Sequence, residues 1–261
     1  MPDVGVIAGS GIYNIPEFEV TEAVKVSTPY GDPSDAYQVG RFGGKEVAFL
    51  PRHGSLHTIP PHGINYRANI WGFRKLGVRR VISIGAVGGI SETMAPGAVV
   101  VLDQIIDRTS GRAATFYDGD EVVHIDFTEP FCTDLRRVLI SAAGDSGMKV
   151  RSKGTYIAVN GPRLETAAEI HAYAAFGADV VGMTAMPEAA LARELELCYG
   201  GLAVVTNAAA GISTGKLTVA EVKEAMRVTT EEIRILLKAL FAMDLSRRHC
   251  ACGSALKNAR M

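Results

Sequence analysis

Short β-branched apolar runs alternate along this chain with longer segments that have the apolar spacing of a helix, and this alternation limits the folds open to it. The runs predicted as strands are VGVIAG, RRVISIGA, GAVVVLDQII, KGTYIAV, ADVVGM and LAVVTN. Several of them are apolar at both odd and even positions, as expected of strands that are covered on both faces. The sequence therefore predicts a single α/β domain with a mixed, largely parallel β-sheet flanked by helices.

The predicted helices lie in INYRANIWGFRKLG, FTEPFCTDLRRVLISAAGDSG, ETAAEIHAYAAFG and PEAALARELELCYGG. Each segment ends at a glycine, the residue that most readily takes the left-handed conformation after a helix. These glycines are Gly77, Gly147, Gly177 and Gly200. Thr166 with Glu169, and Thr218 with Glu221, have the spacing of a capping box. We expect the second pair to open a long C-terminal helix that runs to about Phe241.

Charge and hydropathy exclude several classes of function. The chain has 27 basic and 28 acidic residues, so its net charge of −1 attracts neither nucleic acid nor an anionic membrane. No stretch approaches the ~20 uninterrupted apolar residues of a membrane-spanning helix. The N-terminal MPDVGVIAGSG lacks the basic region and cleavage pattern of a secretory signal. We therefore expect a cytoplasmic protein.

Ligands of such sheets bind beyond the carboxyl ends of strands, so small and polar residues at those points are candidates for a site. In GVIAGSGIY, Gly9, Ser10 and Gly11 offer N–H groups and a hydroxyl to an anion, although a tight turn explains them equally well. In LPRHGSLHTIPPHG, Arg52 and His53 combine a guanidinium fork with an imidazole, which suits phosphate. Zinc is less suited there because no carboxylate or cysteine stands at ligand spacing.

Three further strand ends carry candidates, each with a structural alternative. Residues 85–89 in ISIGAVGGI permit close backbone approach to a ligand, or simply tight packing. Glu165 in NGPRLETAAE stands just ahead of a helix, where a first-turn helix carboxylate is the alternative. Met183 and Thr184 end another strand, and the alternative for Met183 is core packing. Asn207 ends the apolar run VVTNAAAG, where its amide predicts a ligand contact.

Together, the motifs RHG..HTIPPH.INYRANIW, FYDGD, H.....EPFC, GPR and VGMT..PE resemble those of the trimeric purine nucleoside phosphorylases. The chain is most similar to the branch that contains the 5′-methylthioadenosine and 5′-methylthioinosine phosphorylases. The resemblance implies a partly barrel-like nucleoside phosphorylase domain over residues 1–245, followed by a tail over residues 246–261. It also implies a homotrimer that uses inorganic phosphate as co-substrate, with no metal and no further cofactor.

The resemblance assigns roles by matching positions. The phosphate site would use Ser10, Arg52, His53, the backbone at Ala86, and Thr184. Met183 would lie against the ribose, and His124 would reach the 5′ end of a nucleoside bound in a neighbouring subunit. Asn207 and Glu165 would face the purine. The catalytic residues would be Arg52, Thr184 and Asn207.

Two of these positions predict the purine. An asparagine such as Asn207 can donate to O6 of a 6-oxopurine while its oxygen accepts from a protonated N7. An ionised Glu165 can only accept, which fits N1–H of a 6-oxopurine and opposes the N1 lone pair of a 6-aminopurine. Adenine-specific relatives have aspartates at the positions of Asn207 and Ala209 and a serine at the position of Glu165. The expected base is therefore hypoxanthine or guanine.

The segment KLTVAEV predicts the 5′ substituent. Relatives that cleave inosine and guanosine have a histidine for the 5′-hydroxyl where this chain has Val219, with Leu217 and Val222 beside it. An apolar wall suits a methylthio group, although the three residues also fit the buried face of a helix. The predicted activity is phosphorolysis of 5′-methylthioinosine to hypoxanthine and 5-methylthioribose 1-phosphate. A methylthioadenosine phosphorylase, a general 6-oxopurine nucleoside phosphorylase and a nucleoside-binding regulatory protein remain alternatives.

Cys250 and Cys252 form a CxC in the tail, as in some archaeal methylthioadenosine phosphorylases, in which it can be oxidised. In a reducing cytosol we expect a reduced, surface-exposed pair. A metal site would need two more ligands, and His249 supplies only one. The sequence does not show whether Cys132 and Cys198 approach each other.

Overall fold

In a computed structural model, the chain is organised around one sheet of eleven strands. The structure describes residues 1–9, 15–213 and 219–261, without the side chains of 219–226 and 228. The strands are β1 Val4–Ala8, β2 Glu19–Val24, β3 Tyr37–Phe42, β4 Lys45–Pro51, β5 Arg80–Gly89, β6 Val99–Val101, β7 Gln104–Asp107, β8 Val150–Arg151, β9 Thr155–Ala158, β10 Val180–Gly182 and β11 Cys198–Ala208. The helices are α1 Tyr66–Lys75, α2 Thr133–Asp145, α3 Ala167–Ala175, α4 Ala185–Glu194 and α5 Val219–Ala242, with 3₁₀ turns at Pro61–Gly63 and Cys252–Ser254.

Neighbouring strands follow the order β2-β3-β4-β1-β5-β10-β9-β7, and a second branch runs from β5 through β11 to β6 and β8. The pairs β4-β1, β1-β5 and β5-β11 are parallel, whereas β2-β3-β4 form an antiparallel meander. This confirms the mixed, largely parallel sheet between helices. The expectation of a partial barrel is wrong, because β2, β7 and β8 are edges that each have one partner among the described strands, so the sheet stays open.

Helices cover the central strands on both faces. Val81 of β5 packs into a core with side chains of α1 and α4, and the next residue, Ile82, packs into a second core with α2 and α5. Both side chains are 0% exposed. Successive apolar residues therefore mark a strand that is buried on both sides, as the sequence pattern predicts.

Three of the four predicted helix ends are confirmed, each by a glycine in the left-handed conformation. These are Gly77, Gly147 and Gly177, with φ of 85°, 73° and 84°. The capping box of Thr166 and Glu169 is also confirmed. The prediction for Gly200 is wrong, because this residue lies inside β11 and Glu196, at φ 57°, follows α4 instead. Gly200 lies under α2, where a Cβ would come 2.9 Å from Leu135.

The residues that follow α5 fold back onto the domain. Cys252 and Ala259 are buried, and the N–H of His124 donates to the Ala259 carbonyl at 2.8 Å. Val123 and Arg260 form an isolated antiparallel bridge. The tail is therefore hydrogen-bonded to the loop between β7 and α2, while the boundary at residue 245 stays a prediction. Within the described ranges, no helix has the length and apolar content to cross a membrane.

Candidate active site

A cavity of about 540 Å³ opens where β1, β4, β5 and β11 end. Its walls combine backbone of β5 with side chains from the segments that follow β4, β9 and β10. The predicted site residues that line it are Arg52, His53, Ala86, Glu165, Met183, Thr184 and Asn207. Residues far apart in the sequence thus meet at one place because parallel strands end at the same edge of the sheet.

The other predicted site residues do not line this cavity or lie beyond the description. Ser10, Leu217 and Thr218 fall outside the described residues. Val219 and Val222 stand in the first turns of α5, where the backbone alone is described, so the apolar 5′ wall stays a prediction. Ala209 is buried directly behind the cavity, with its Cα 3.5 Å from where a Cβ on Gly88 would stand.

His124 is exposed and is not among the residues that line the cavity. Its backbone is held by the tail through the hydrogen bond to Ala259. The contact of this imidazole with a nucleoside in a neighbouring subunit stays a prediction.

Arg52 is completely buried, and its charge is paired inside the protein. Nε and Nη2 contact the two carboxylate oxygens of Glu188 at 2.5 and 3.1 Å. Nη1 donates to the Ile84 carbonyl at 3.0 Å, and Nη2 donates to the Ser83 hydroxyl at 2.7 Å. Burial alone would lower the pKa of Arg52, but the Glu188 carboxylate raises it above the ordinary value.

The guanidinium fork therefore binds Glu188 rather than facing the cavity. Counting only acceptors in the described part of the chain, Nη1 keeps one N–H that no protein group accepts. Nη1 lies 3.2 Å from where a Cβ on Gly9 would stand, at the cavity wall. Arg52 could therefore donate one hydrogen bond to an anion in the cavity. Its positive charge would also attract that anion, although Glu188 partly neutralises the charge.

Glu188 is a residue that reasoning from the sequence missed. It lies on α4, is 0% exposed and also accepts a hydrogen bond from the Tyr199 hydroxyl at 2.8 Å. A signal was available, because the motif VGMT..PE contains Glu188. A buried arginine such as Arg52 requires a carboxylate partner, and Glu188 is the carboxylate in that motif. Glu188 fixes the guanidinium of Arg52, so any effect of Glu188 on the site is expected to pass through Arg52.

His53 is neutral in this environment. Burial, followed by the positive charge of Arg52, lowers the pKa of His53 to about 4. Its Nδ1 lies 2.8 Å from the Ile59 carbonyl, so the proton of the neutral ring is assigned to Nδ1. The remaining Nε2 is an acceptor, which matches the hydroxyl of hydrogen phosphate rather than an unprotonated phosphate oxygen.

A bulge in β11 sets the orientation of Asn207. The register against β5 shifts between Val205 and Asn207, which leaves Thr206 as an extra residue. Adjacent side chains of a regular strand point to opposite faces, but here the Thr206 hydroxyl donates to Asn207 Oδ1 at 2.8 Å. Asn207 Nδ2 donates to the Ala208 carbonyl at 2.9 Å. One N–H and one acceptor position of the amide remain for a ligand.

Glu165 lies on the cavity wall, immediately before the N-cap residue Thr166 of α3. The alternative of a first-turn helix carboxylate is therefore wrong for Glu165, since Glu169 occupies the first turn. Burial raises the pKa of Glu165 above the ordinary value for a glutamate. Its protonation state will accordingly change at a less acidic pH than that of an exposed carboxylate.

Met183 and Thr184 are fixed by contacts to their backbone. The Thr184 N–H donates to the Tyr156 hydroxyl at 3.1 Å, and Arg112 Nη1 donates to the Met183 carbonyl at 2.7 Å. The side chain of Met183 packs on Gly161, where a Cβ would come 2.3 Å from the sulfur. Both side chains line the cavity, so Met183 is more than core packing. Arg112 is a further residue at this site that no sequence pattern indicated.

Comparison with known proteins agrees with this arrangement. Residues 3–242 match the family profile described as the phosphorylase superfamily. The chain is 51% identical over 266 residues to a 6-oxopurine nucleoside phosphorylase of Pyrococcus furiosus, with 99% of each chain covered. It is 50% identical to a probable S-methyl-5′-thioinosine phosphorylase of Thermodesulfovibrio yellowstonii, with 98% and 96% covered. A solved structure of methylthioadenosine phosphorylase from Schistosoma mansoni in complex with adenine superposes with a TM-score of 0.93 at 34% identity, covering 100% and 99%.

Proposed function

The chain belongs to the phosphorylase superfamily and is a purine nucleoside phosphorylase, a pentosyltransferase, and from that premise we propose that its substrate is 5′-methylthioinosine. The products would be hypoxanthine and 5-methylthioribose 1-phosphate. The observation that carries this choice is the amide of Asn207, which keeps one donor and one acceptor position in a cavity that Glu165 also lines. We further propose a cytoplasmic homotrimer in which His124 reaches a neighbouring site.

In the proposed reaction a phosphate oxygen attacks C1′ of the ribose while the bond from C1′ to purine N9 breaks. The free N–H of Arg52, the Thr184 hydroxyl and the Ser10 segment would hold the phosphate, and His53 Nε2 would accept its hydroxyl proton in a hydrogen bond. Positive charge that develops on the ribose is stabilised by the adjacent phosphate. Orienting the two substrates contributes up to ~7–11 kcal/mol to catalysis. Phosphate is the co-substrate, and the reaction needs no other cofactor.

The electron pair of the broken bond passes to the purine as negative charge, and the base gains a proton at N7 and leaves neutral. The protons balance because hydrogen phosphate loses its hydroxyl proton when it becomes the ribose 1-phosphate ester. Asn207 Oδ1 would accept that N7–H, and its free N–H would donate to O6. Glu165, when ionised, would accept from N1–H. The same groups oppose adenine, because N6–H₂ would face the Asn207 donor and the N1 lone pair would face a carboxylate. A buried mismatch of this kind discriminates by up to ~10⁴–10⁵-fold.

The proposal for the 5′ group rests on the residue types of the segment KLTVAEV. Val219, Leu217 and Val222 offer no hydrogen bond to a 5′-hydroxyl, which would lose its partner on binding. The similarity to a probable thioinosine phosphorylase supports a methylthio substituent. The similar identity to a 6-oxopurine nucleoside phosphorylase favours general 6-oxopurine nucleosides as the second candidate.

Phosphate-dependent release of free base from methylthioinosine, methylthioadenosine and inosine tests the proposal. We expect the highest kcat/KM with methylthioinosine, measured for the three substrates in parallel at saturating phosphate. A preference for inosine would replace the proposal by its second candidate. A preference for methylthioadenosine would contradict the role given to Asn207 and Glu165.

The choice between 6-oxo and 6-amino substrates should depend on pH through Glu165. As the pH falls through its raised pKa, the carboxylate gains a proton, stops opposing a bare N1 and can donate to it. We expect the ratio of kcat/KM for methylthioinosine over methylthioadenosine to fall by about tenfold per pH unit below that pKa. Glu165→Gln is the matched control, because an amide does not titrate and its ratio should stay constant with pH. Identical pH profiles of the two proteins would contradict this role.

A further inference from the structure

Four cysteines from separate parts of the chain converge at one place away from the cavity. All four Sγ atoms lie within 4.8 Å of one another, and the Sγ atoms of Cys198 and Cys250 are 3.4 Å apart. We call them the cysteine cluster: Cys132, Cys198, Cys250 and Cys252. The expectation of a surface-exposed pair in the tail is wrong, because Cys252 is buried and Cys250 is half-buried. The two further ligands that a metal site would require are supplied by Cys132 and Cys198.

The spacing of the sulfurs fits a single tetrahedral ion. A Zn–S bond of about 2.3 Å places the sulfurs of a tetrathiolate site about 3.8 Å apart. Each sulfur of the cluster has the other three as neighbours within 4.8 Å, which is an arrangement of four mutual neighbours rather than two separate pairs. An iron–sulfur cluster needs its thiolates farther apart, because they bind different iron atoms.

The surroundings favour thiolates over thiols. Cys132 is the N-cap of α2, and its Sγ accepts from the Leu135 N–H at 3.4 Å, so the positive end of the helix faces this sulfur. The guanidinium of Arg248 lies over the turn at Gly253, where a Cβ would come 2.5 Å from Nη2. These groups offset the two negative charges that four thiolates and one divalent ion leave.

The cluster joins three parts of the chain that are distant in sequence. Cys132 is the N-cap of α2, Cys198 begins β11, and the CxC pair belongs to the tail. Four buried or half-buried thiolates without a cation would carry a large desolvation cost. We propose that the cysteine cluster binds one Zn²⁺ in a tetrathiolate site that fastens the tail to the domain. Binding releases the thiol protons, so the affinity should fall as the pH is lowered.

The first test measures metal and thiols in the full chain, purified without a metal-affinity step and without added reductant. We expect about one zinc per chain by mass spectrometry of the elements, and four titratable thiols after denaturation with a chelator. Two disulfides would leave no thiols and no zinc, and would overturn the proposal. Four thiols without zinc, or iron in place of zinc, would overturn it as well.

A variant then tests the assignment of the ligands. We expect Cys252→Ser to lower the zinc content about tenfold or more and the melting temperature by about 5 °C or more. His249→Ala is the matched control, because this neighbouring residue lies outside the cluster and its variant should keep its zinc. If Cys252→Ser does not yield folded protein, cobalt exchanged into the wild-type chain should show the charge-transfer absorption of a tetrathiolate site. Cobalt spectra without thiolate bands would overturn the assignment.

Discussion

Replacing Asn207 by alanine should lower kcat/KM for methylthioinosine by about 10²–10³-fold, the loss typical of one donor that stabilises a developing anion. The amide is the group proposed to hold the N7 proton and to donate to O6 of the leaving base. Among the residues that the structure describes, its side chain is hydrogen-bonded only to Thr206 and Ala208, so the melting temperature should change little. Steady-state kinetics and thermal unfolding of the same preparation measure the two effects.

Two further variants show whether the amide itself is responsible. Asn207→Asp keeps the shape but removes the donor to O6, and should lose most of the same rate. Thr206→Val removes the hydroxyl that orients the amide and should give a smaller loss, mainly in kcat. An Asn207→Ala variant with the wild-type rate would contradict the role proposed for this residue.

Replacing Glu188 by glutamine should lower the free energy of unfolding by about 3–5 kcal/mol, because it leaves the charge of Arg52 buried without a counter-ion. The side chain keeps its volume, so the loss would reflect charge rather than a cavity. The KM for phosphate should rise in the same variant, since Glu188 fixes the guanidinium that reaches the cavity. Urea unfolding and phosphate titration measure these effects.

The double variant Arg52→Met with Glu188→Gln separates stability from activity. It removes the uncompensated charge and retains a partner for the Tyr199 hydroxyl, so most of the lost stability should return. The rate should not return, because the N–H proposed to bind the phosphate is gone. A Glu188→Gln variant with wild-type stability would show that Arg52 does not depend on this carboxylate.

The central part of the fold is predictable from the sequence, because strands that are buried on both faces have apolar residues at successive positions. Val81 and Ile82 belong to different cores, and only a doubly covered strand requires both residues to be apolar. The end of α4 was not predictable in the same way. Glycine marks a helix end only where no other constraint requires it, and Gly200 is required by the close approach of Leu135.

The candidate site, like the fold, could be predicted from the sequence only in part. Residues that end strands could be located, because the edge of a parallel sheet brings them together. The partners of those residues could not, since both lie far along the chain from the groups they hold. Arg112 carries no local pattern, and the motif that contains Glu188 does not show which residue Glu188 pairs with. The cysteine cluster is a similar case, because Cys132 and the tail are brought together by the folded domain alone.

The bulge in β11 has a consequence for how base preference evolves. A hydroxyl can donate to the oxygen of an amide or of a carboxylate, so Thr206 would support an aspartate at position 207 as well as the present asparagine. Thr206 therefore does not itself discriminate between purines. If position 207 reads the base as proposed, a single codon change can exchange that residue while the strand keeps its length and the Thr206 hydrogen bond stays in place.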